Sequence, residues 1–419
     1  MRSILIRCWV AAIVLIGCAD TSRCVAQTFT FSTLPSRAQL PPRVQMTRDA
    51  FGGAHAVRRV DSQWPRLPAE FETPHALLLS ISDWHPQHRP ILQEIAVKTS
   101  GYCPLVILCA DSIAIQETTA WLAELNRDLP DVYFCPIATD TVWMRDFGPI
   151  FLQTRTSSKI LDFFYLGERP IDDHLPTDWA RQTNVPALPI AWTIQGGNLM
   201  ANGNGLALTT NRIFDDNHIE FQNPFLGQDA EHDRRHIVVE AIADACNLEQ
   251  LVVLEPLQNE ETQHVDMFTT FIAADTVLVA NVLSSTDPVN AGILNRNVER
   301  LRNVRTGGKP LKIHRLNIPT RDGNAWSAYT NAILTHNLVL VPVLETDPPH
   351  LVQQALHTYQ QLLPDHRVET INMTSMRDLQ GELHCLSMHV PIFAPMPKNL
   401  YGFDASRKFY FPDGVPTAN

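Results

Sequence analysis

An α/β fold built from repeated strand–strand–helix–strand units is what this sequence predicts, and three observations carry it. Apolar runs of strand length outnumber segments of helical spacing by roughly two or three to one, where a plain doubly wound sheet shows nearer one to one. The two kinds of segment alternate from residue 74 almost to the end of the chain. The stretch from 70 to 415 has room for about five units of about 70 residues, a period that repeat architectures use. No repeat is visible in the residues themselves, so the spacing permits this reading without requiring it.

In order, the run from Ala76 to Ile81 is apolar enough for a buried strand. Helical spacing follows at 88–100, a strand at Pro104–Leu108, a helix at 113–127 and a strand at Val132–Phe134. Further helices are expected near 233–246, 286–301 and 349–363. Further strands are expected near 159–165, 205–210, 250–255, 268–273, 276–282, 311–316, 328–334, 338–343 and 367–372.

Residues 1–26 read as an export signal. Arg2 and Arg7 precede an apolar run from Cys8 to Cys18 that is too short to span a bilayer. Two cleavage routes fit. Leu15-Ile16-Gly17-Cys18 resembles a lipobox, which would leave a lipid anchor on Cys18. Cys24-Val25-Ala26 offers the small residues of ordinary cleavage before Gln27. The protein is therefore expected outside the cytoplasm: secreted, periplasmic or lipid-anchored at the envelope. Residues 27–70 are polar and Pro-rich and read as a linker or surface strap, which leaves 71–419 as the folded domain.

The net charge of −11, without basic runs, argues against nucleic acid and suits a cationic small molecule or a basic peptide. Of eight cysteines, Cys8, Cys18 and Cys24 fall in the leader. Cys103, Cys109, Cys135, Cys246 and Cys385 remain, an odd number, so at least one thiol is unpaired within the chain.

Four segments stand apart chemically. Trp143-Met144-Arg145-Asp146-Phe147-Gly148-Pro149 combines an aromatic ring, both charges and a Gly-Pro turn. Gln195-Gly196-Gly197-Asn198, followed by Asn202-Gly203-Asn204-Gly205, marks tight turns. His264-Val265-Asp266, if on a strand, presents imidazole and carboxylate on one face. Gly381-Glu382-Leu383-His384-Cys385-Leu386-Ser387 puts a cysteine at the end of an expected strand. Each also has a plain reading: a core tryptophan beside a local ion pair, an ordinary turn, a satisfied hydrogen-bond pair, an inert buried thiol. Their conjunction favours chemistry. A thiol nucleophile, a histidine able to act as acid and base, and two carboxylates suit attack on a planar cation. A guanidinium presents five N–H donors in a fixed fork, which two carboxylates can grip. Those carboxylates would also raise the thiol's pKa unless a bound cation offsets them.

At these residues the chain resembles the bacterial, porphyromonad-type peptidylarginine deiminase and agmatine deiminase family of guanidine-modifying enzymes. The four segments occur in the family's order, and Tyr329-Thr330-Asn331, Asn337 and Val341-Pro342 add a fifth match; together they span about 75 to 415. The resemblance implies a five-bladed pseudo-fivefold ββαβ propeller of pentein type with a central active site, formed by the domain 71–419. It implies Cys385 as nucleophile, His264 as general acid and base, and Asp146 and Asp266 as guanidinium ligands. It places Trp143, Arg145, Arg169, Gln195, Gly196, Gly197, Asn198 and Asn331 around the substrate. No metal or organic cofactor is called for. Agmatine deiminases usually carry Glu where this chain has Gln195, and the exported peptidylarginine branch lacks that Glu too. Asp162-Phe163-Phe164-Tyr165 with Arg169, Asp172 and Asp173 also resembles that branch, although Gly167 stands where a second arginine falls. The expected reaction is conversion of peptidyl-arginine to peptidyl-citrulline and ammonia. Agmatine or free arginine as substrate, amidino transfer to an amine, and a non-catalytic guanidinium-binding relative are the alternatives.

Overall fold

Long apolar runs such as Leu77-Leu78-Leu79 and Leu105-Val106-Ile107-Leu108 must be buried on both faces, and they are. In a computed structural model of the chain, residues 55–57, 64–165, 167–218, 228–321, 325–335, 337–379 and 382–406 are described. They belong to one compact unit spanning Arg43–Asn419. The expected export signal over 1–26, its Cys18 anchor and most of 27–63 lie outside the described residues, as does Gly381.

The chain enters with β1 (His55–Val57) and β2 (Pro74–Ser80), then α1 (Arg89–Thr99), β3 (Leu105–Cys109), α2 (Ser112–Ala123) and β4 (Val132–Pro136). Helix α2 starts where the Asp111 carboxylate accepts the Ile113 and Ala114 backbone N–H groups, both at 2.9 Å. After α3 (Met144–Phe147) come β5 (Ile150–Gln153), β6 (Ser158–Phe164), α4 (Pro170–Thr183) and β7 (Ala187–Thr193). Next are β8 (Met200–Ala201), β9 (Leu206–Thr210), α5 (Arg212–Asp216), α6 (Gln228–Ala245) and β10 (Gln250–Leu254). Then follow β11 (Thr269–Ala273), β12 (Thr276–Asn281), α7 (Pro288–Leu301), the ribbon β13 (Arg305–Thr306) and β14 (Lys309–Pro310), and β15 (Lys312–Asn317). The last elements are β16 (Ile333–Thr335), β17 (Leu338–Val343), α8 (Pro349–Leu362), β18 (Arg367–Asn372), β19 (Ser387–Pro391) and β20 (Tyr401–Gly402).

The pairing repeats. β5–β6–β7, β8–β9–β10, β11–β12–β15 and β16–β17–β18 are each an antiparallel pair followed, across a helix, by a parallel third strand. The fifth sheet, β19–β2–β3–β4–β20, has the same core, but its first strand comes from the far end of the chain. Ser387 pairs with Leu79, so the C-terminal region closes onto the N-terminal one.

Several expectations need correction. The expected strand at 328–334 is only three residues, Ile333–Thr335. Before it the backbone turns, with the Asn331 N–H donating to the Ala328 carbonyl at 2.7 Å and the Tyr359 hydroxyl donating to the Tyr329 carbonyl at 2.9 Å. The segment Arg169–Asp173, where no helix is expected, caps and opens a helix, α4. Asp172 is fully buried there and accepts the Asp140 N–H at 2.6 Å and the Thr141 hydroxyl at 2.8 Å. Part of the expected strap at 27–70 is built into the body. β1 pairs antiparallel with β10, Leu67 and Ala69 are buried, and Glu70 bonds the ring of His384.

Candidate active site

Five segments converge on one place, and each stands immediately before the first strand of a sheet. Asp146 lies in α3 before β5, Gln195–Asn198 before β8, His264–Asp266 before β11, Asn331 before β16 and Cys385 before β19. The structural repeat thus delivers one polar segment per sheet.

His264 and Asp266 do not sit on a strand. Val265–Met267 is a tight 3-10 turn, held because the buried Asn198 carboxamide oxygen accepts the Val265 and Thr210 N–H groups at 3.2 and 3.0 Å. The Thr210 hydroxyl fixes the other side by donating to the Gln263 carbonyl at 2.7 Å. Cys385 likewise precedes its strand, in the turn His384–Leu386.

Gly197 lets these groups approach. A Cβ at this position would lie 2.6 Å from His264 Nδ1 and 3.1 Å from both Asp146 Oδ1 and Asp266 Oδ2. The imidazole and the two carboxylates therefore surround a point where only glycine fits. His264 Nδ1 is 3.6 Å from Asp146 Oδ1. The Cys385 thiol is 4.0 Å from Asp266 Oδ2 and 3.5 Å from the Asn331 amide nitrogen. Among the described residues, Asp146 Oδ1, Asp266 Oδ1 and both His264 ring nitrogens are buried without a hydrogen-bond partner. Buried polar atoms are normally paired, so this concentration marks a place prepared for something polar.

The electrostatics agree. Burial, then Asp266, pushes the Asp146 carboxyl up to about 8. Burial, then Asp266 and Asp146, pushes the Cys385 thiol well above its ordinary range. Burial pushes His264 down to about 4, leaving a neutral imidazole able to accept a proton. The other four thiols of the described chain, Cys103, Cys109, Cys135 and Cys246, are free and buried, with burial as the main cause of their raised pKa values. Cys385 alone among the five combines a carboxamide and two carboxylates as neighbours. A planar cation between Asp146 and Asp266 would relieve their repulsion, favour the thiolate and place its carbon near sulfur.

Asp146 and Cys385 lie in a cleft of about 240 Å³. Trp143, Tyr165 and Leu379 form its apolar walls, and Arg169, Arg212, Gln195 and Glu261 its polar ones. Arg169 donates to the Tyr165 hydroxyl at 3.1 Å, and Arg212 Nε donates to Asp216 at 2.6 Å.

Among the residues expected around a substrate, Trp143, Arg169 and Gln195 line this cleft, and Asn331 touches the thiol. Gly197 and Asn198 support the site from beneath. Gly196 packs its backbone on the Arg145 carbonyl, which leaves no room for a Cβ. Arg145 is the correction: it points away from the cleft and pairs with Glu70, with Nη2 3.3 Å from His389 Nδ1. The sequence reading missed Glu70, Arg212, Glu261 and Leu379, and gave Tyr165 and His384 no role. His384 Nδ1 is 2.8 Å from Asp266 Oδ2, and its Nε2 bonds Glu70. No cluster of three or more His, Cys, Asp or Glu side chains is arranged to hold a metal among the described residues.

A family profile described as Porphyromonas-type peptidyl-arginine deiminase matches residues 66–391. The agmatine deiminase of Pseudomonas fluorescens is 23% identical over 317 residues, covering 67% of this chain and 82% of that protein. The solved agmatine deiminase of Enterococcus faecalis shares the fold at a TM-score of 0.63 and 20% identity, over 80% of this chain and 99% of that one. The C. jejuni agmatine deiminase does so at 0.62 and 18%, over 82% and 98%.

Proposed function

The chain belongs to the Porphyromonas-type peptidyl-arginine deiminase family, and from that premise we propose that it converts arginine in a peptide to citrulline, releasing ammonia. At the coarser level it is a hydrolase of amidine C–N bonds that deiminates a guanidinium group. One observation carries the mechanism: a neutral imidazole and two underpaired carboxylates meet around Gly197, with the Cys385 thiol beside Asp266.

Asp146 and Asp266 hold the guanidinium nitrogens, and the bound cation offsets the charge that suppresses the Cys385 thiolate. Neutral His264 takes the thiol proton as the sulfur attacks the central carbon, and becomes the imidazolium that serves as acid in the next step. The tetrahedral adduct collapses, breaking one C–N bond, and His264 passes a proton to the departing ammonia. His264 then takes a proton from water, whose oxygen attacks the amidino-thioether carbon. The C–S bond breaks, returning the thiol and leaving a ureido product. The same logic supports an arrangement of the five sheets about one central axis, with one site segment contributed by each.

The peptide substrate is supported by Arg169 and Arg212 in the wall of the cleft. Two cations there suit a substrate whose far end is a carboxylate, as in a C-terminal arginine, and disfavour the second cation of agmatine. The names of the relatives favour agmatine instead. Ammonia release from a peptide ending in arginine, its C-terminal amide, free arginine and agmatine separates the two readings. The proposal expects the free-acid peptide to have the highest kcat/KM; agmatine ahead of it would overturn the peptide assignment. Export of the mature protein is a further proposal from the leader. Fractionation with N-terminal sequencing tests it, and an unprocessed cytoplasmic chain would refute it.

A further inference from the structure

Deimination as proposed uses Asp266 but leaves the groups behind it without a role. Glu70 arrives from the segment before β2. One of its oxygens takes the Arg145 guanidinium and the other takes His384 Nε2. His384 Nδ1 meets Asp266 Oδ2 at 2.8 Å, the oxygen that is 4.0 Å from the Cys385 thiol. The His384 backbone N–H donates to the Asn331 carboxamide oxygen at 2.8 Å. His384 is therefore gripped at three points, and a histidine that donates through both ring nitrogens is a cation.

We propose that Glu70 is a positioning residue of the deimination reaction: through His384 it fixes Asp266 so that Oδ2 is engaged from behind and Oδ1 is left for the guanidinium. The proposal rests on the deiminase reading above. The two carboxylates that His384 meets, Glu70 and Asp266, fit a charged imidazole. Burial and Arg145 on α3 oppose the charge, while Glu70 and Asp266 outweigh them and raise its pKa. His389 on β19 is held near 4 by burial, so it is neutral; its Nδ1 can accept from Arg145, and its Nε2 can donate to the Leu334 carbonyl at 2.6 Å. Glu70 itself is held low, because Arg145 and His384 outweigh the effect of burial. The positive His384 in turn helps to hold Asp146 down against burial and Asp266.

The test is Glu70→Gln, which keeps the shape and removes the charge. In the full-length protein, kcat for ammonia release should fall roughly 10- to 100-fold, the loss typical of removing a group that orients a site residue. The low-pH limb of kcat/KM should also move to higher pH. Asp146 must be ionised to hold a guanidinium, and an uncharged His384 would let its pKa rise. A lower melting temperature with an unchanged pH profile would overturn the proposal, since Glu70 would then only anchor the strap. An activity-independent readout is the imidazole 15N titration of His384, assigned by its loss in His384→Asn. In Glu70→Gln its deprotonation should occur at lower pH, and an unchanged titration also overturns the proposal. If Glu70→Gln does not fold, Glu70→Asp, which retracts the carboxylate, carries the same readouts. Wild-type protein that releases no ammonia from any guanidinium compound would refute the deiminase reading, while the titration still decides the fate of Glu70.

Discussion

In front of Asp266, toward the cleft, lie Asp146, His264 and Cys385; behind it lie His384, Glu70 and Arg145. The front holds two carboxylates facing each other, a thiol pushed up by both, and buried oxygens and nitrogens without partners. The back alternates sign, cation against carboxylate, and its charges are paired. Asp266 and His384 are buried, and Glu70 behind is more exposed than Asp146 in front, so the difference is not one of burial alone. A support must be satisfied in the free protein, whereas a binding site must be satisfied only when its ligand arrives. Repulsion in front and alternating, paired charges behind are the signature of a place that awaits a cation.

The largest effect expected on this contrast comes from Cys385→Ser. If the thiol attacks carbon, ammonia release from any guanidinium substrate should fall on the order of 10⁴-fold or more, as for other lost nucleophiles. The fold should be retained, because sulfur and oxygen occupy similar space. Residual activity within about tenfold of wild type would remove Cys385 from the mechanism.

Asp146→Asn tests the repulsion directly. A carboxyl whose folded pKa is raised from 3.8 to about 8 stabilises the fold while protonated, fully below about pH 4, and that contribution is lost as pH rises through about 8. The melting temperature of substrate-free protein should therefore fall across this window, and Asp146→Asn should flatten the fall and melt higher at pH 8. Its kcat/KM should nonetheless drop roughly 10²- to 10³-fold, since a charge-assisted contact to the reacting cation is gone. A variant that loses stability at pH 8 would mean the front is not frustrated.

Arg145→Met should do the reverse. It removes one partner of Glu70 from a buried pair, a change of about 3–5 kcal/mol where no partner remains. His384 still holds Glu70, and the Glu70 side chain is 24% exposed, so a loss of roughly 2–3 kcal/mol in a denaturant titration is expected. Activity should suffer through Asp266, and less than in Asp146→Asn. Opposite signs of stability change for the two variants would establish the contrast; equal signs would dissolve it.

Legibility in the sequence followed the same division. Buried strands and amphipathic helices were readable because apolar runs and helical spacing announce them; β17 and β18 fall at 338–343 and 367–372 as expected. Helix α4 was hidden because it carries Pro176 and turns a buried aspartate, Asp172, toward the core. Among the site residues, Cys385, His264, Asp146 and Asp266 were legible by resemblance, and the structure brings them together. Arg145 was misplaced because adjacent residues in a helical turn point in different directions, so its position beside Asp146 did not put it in the cleft. Glu70 was invisible: it sits in a Pro-rich segment, 314 residues from the histidine it holds. Periodicity cannot report such a contact, and the recurring sheet pattern likewise lies in strand pairing, not in residues.

The smallest effect expected, and the one that bears on substrate, is Gln195→Glu. Gln195 lines the cleft and is nearly buried, so a carboxylate there would add a third negative charge to a wall that also holds Arg169 and Arg212. Two consequences follow. A new acid can attract the free amine of agmatine, and it can also neutralise an arginine needed for a substrate carboxylate. Both push selectivity the same way, so kcat/KM for agmatine relative to a peptide ending in arginine should rise, by about 10-fold if one charge pair of roughly 1.4 kcal/mol is exchanged. The pH dependence gives the check. The gain should vanish where the new carboxyl is protonated, and burial beside Asp146 will keep that point above the ordinary glutamate range. A ratio that stays fixed across pH would show that position 195 faces no charged end of the substrate, and that Arg169 and Arg212 select alone.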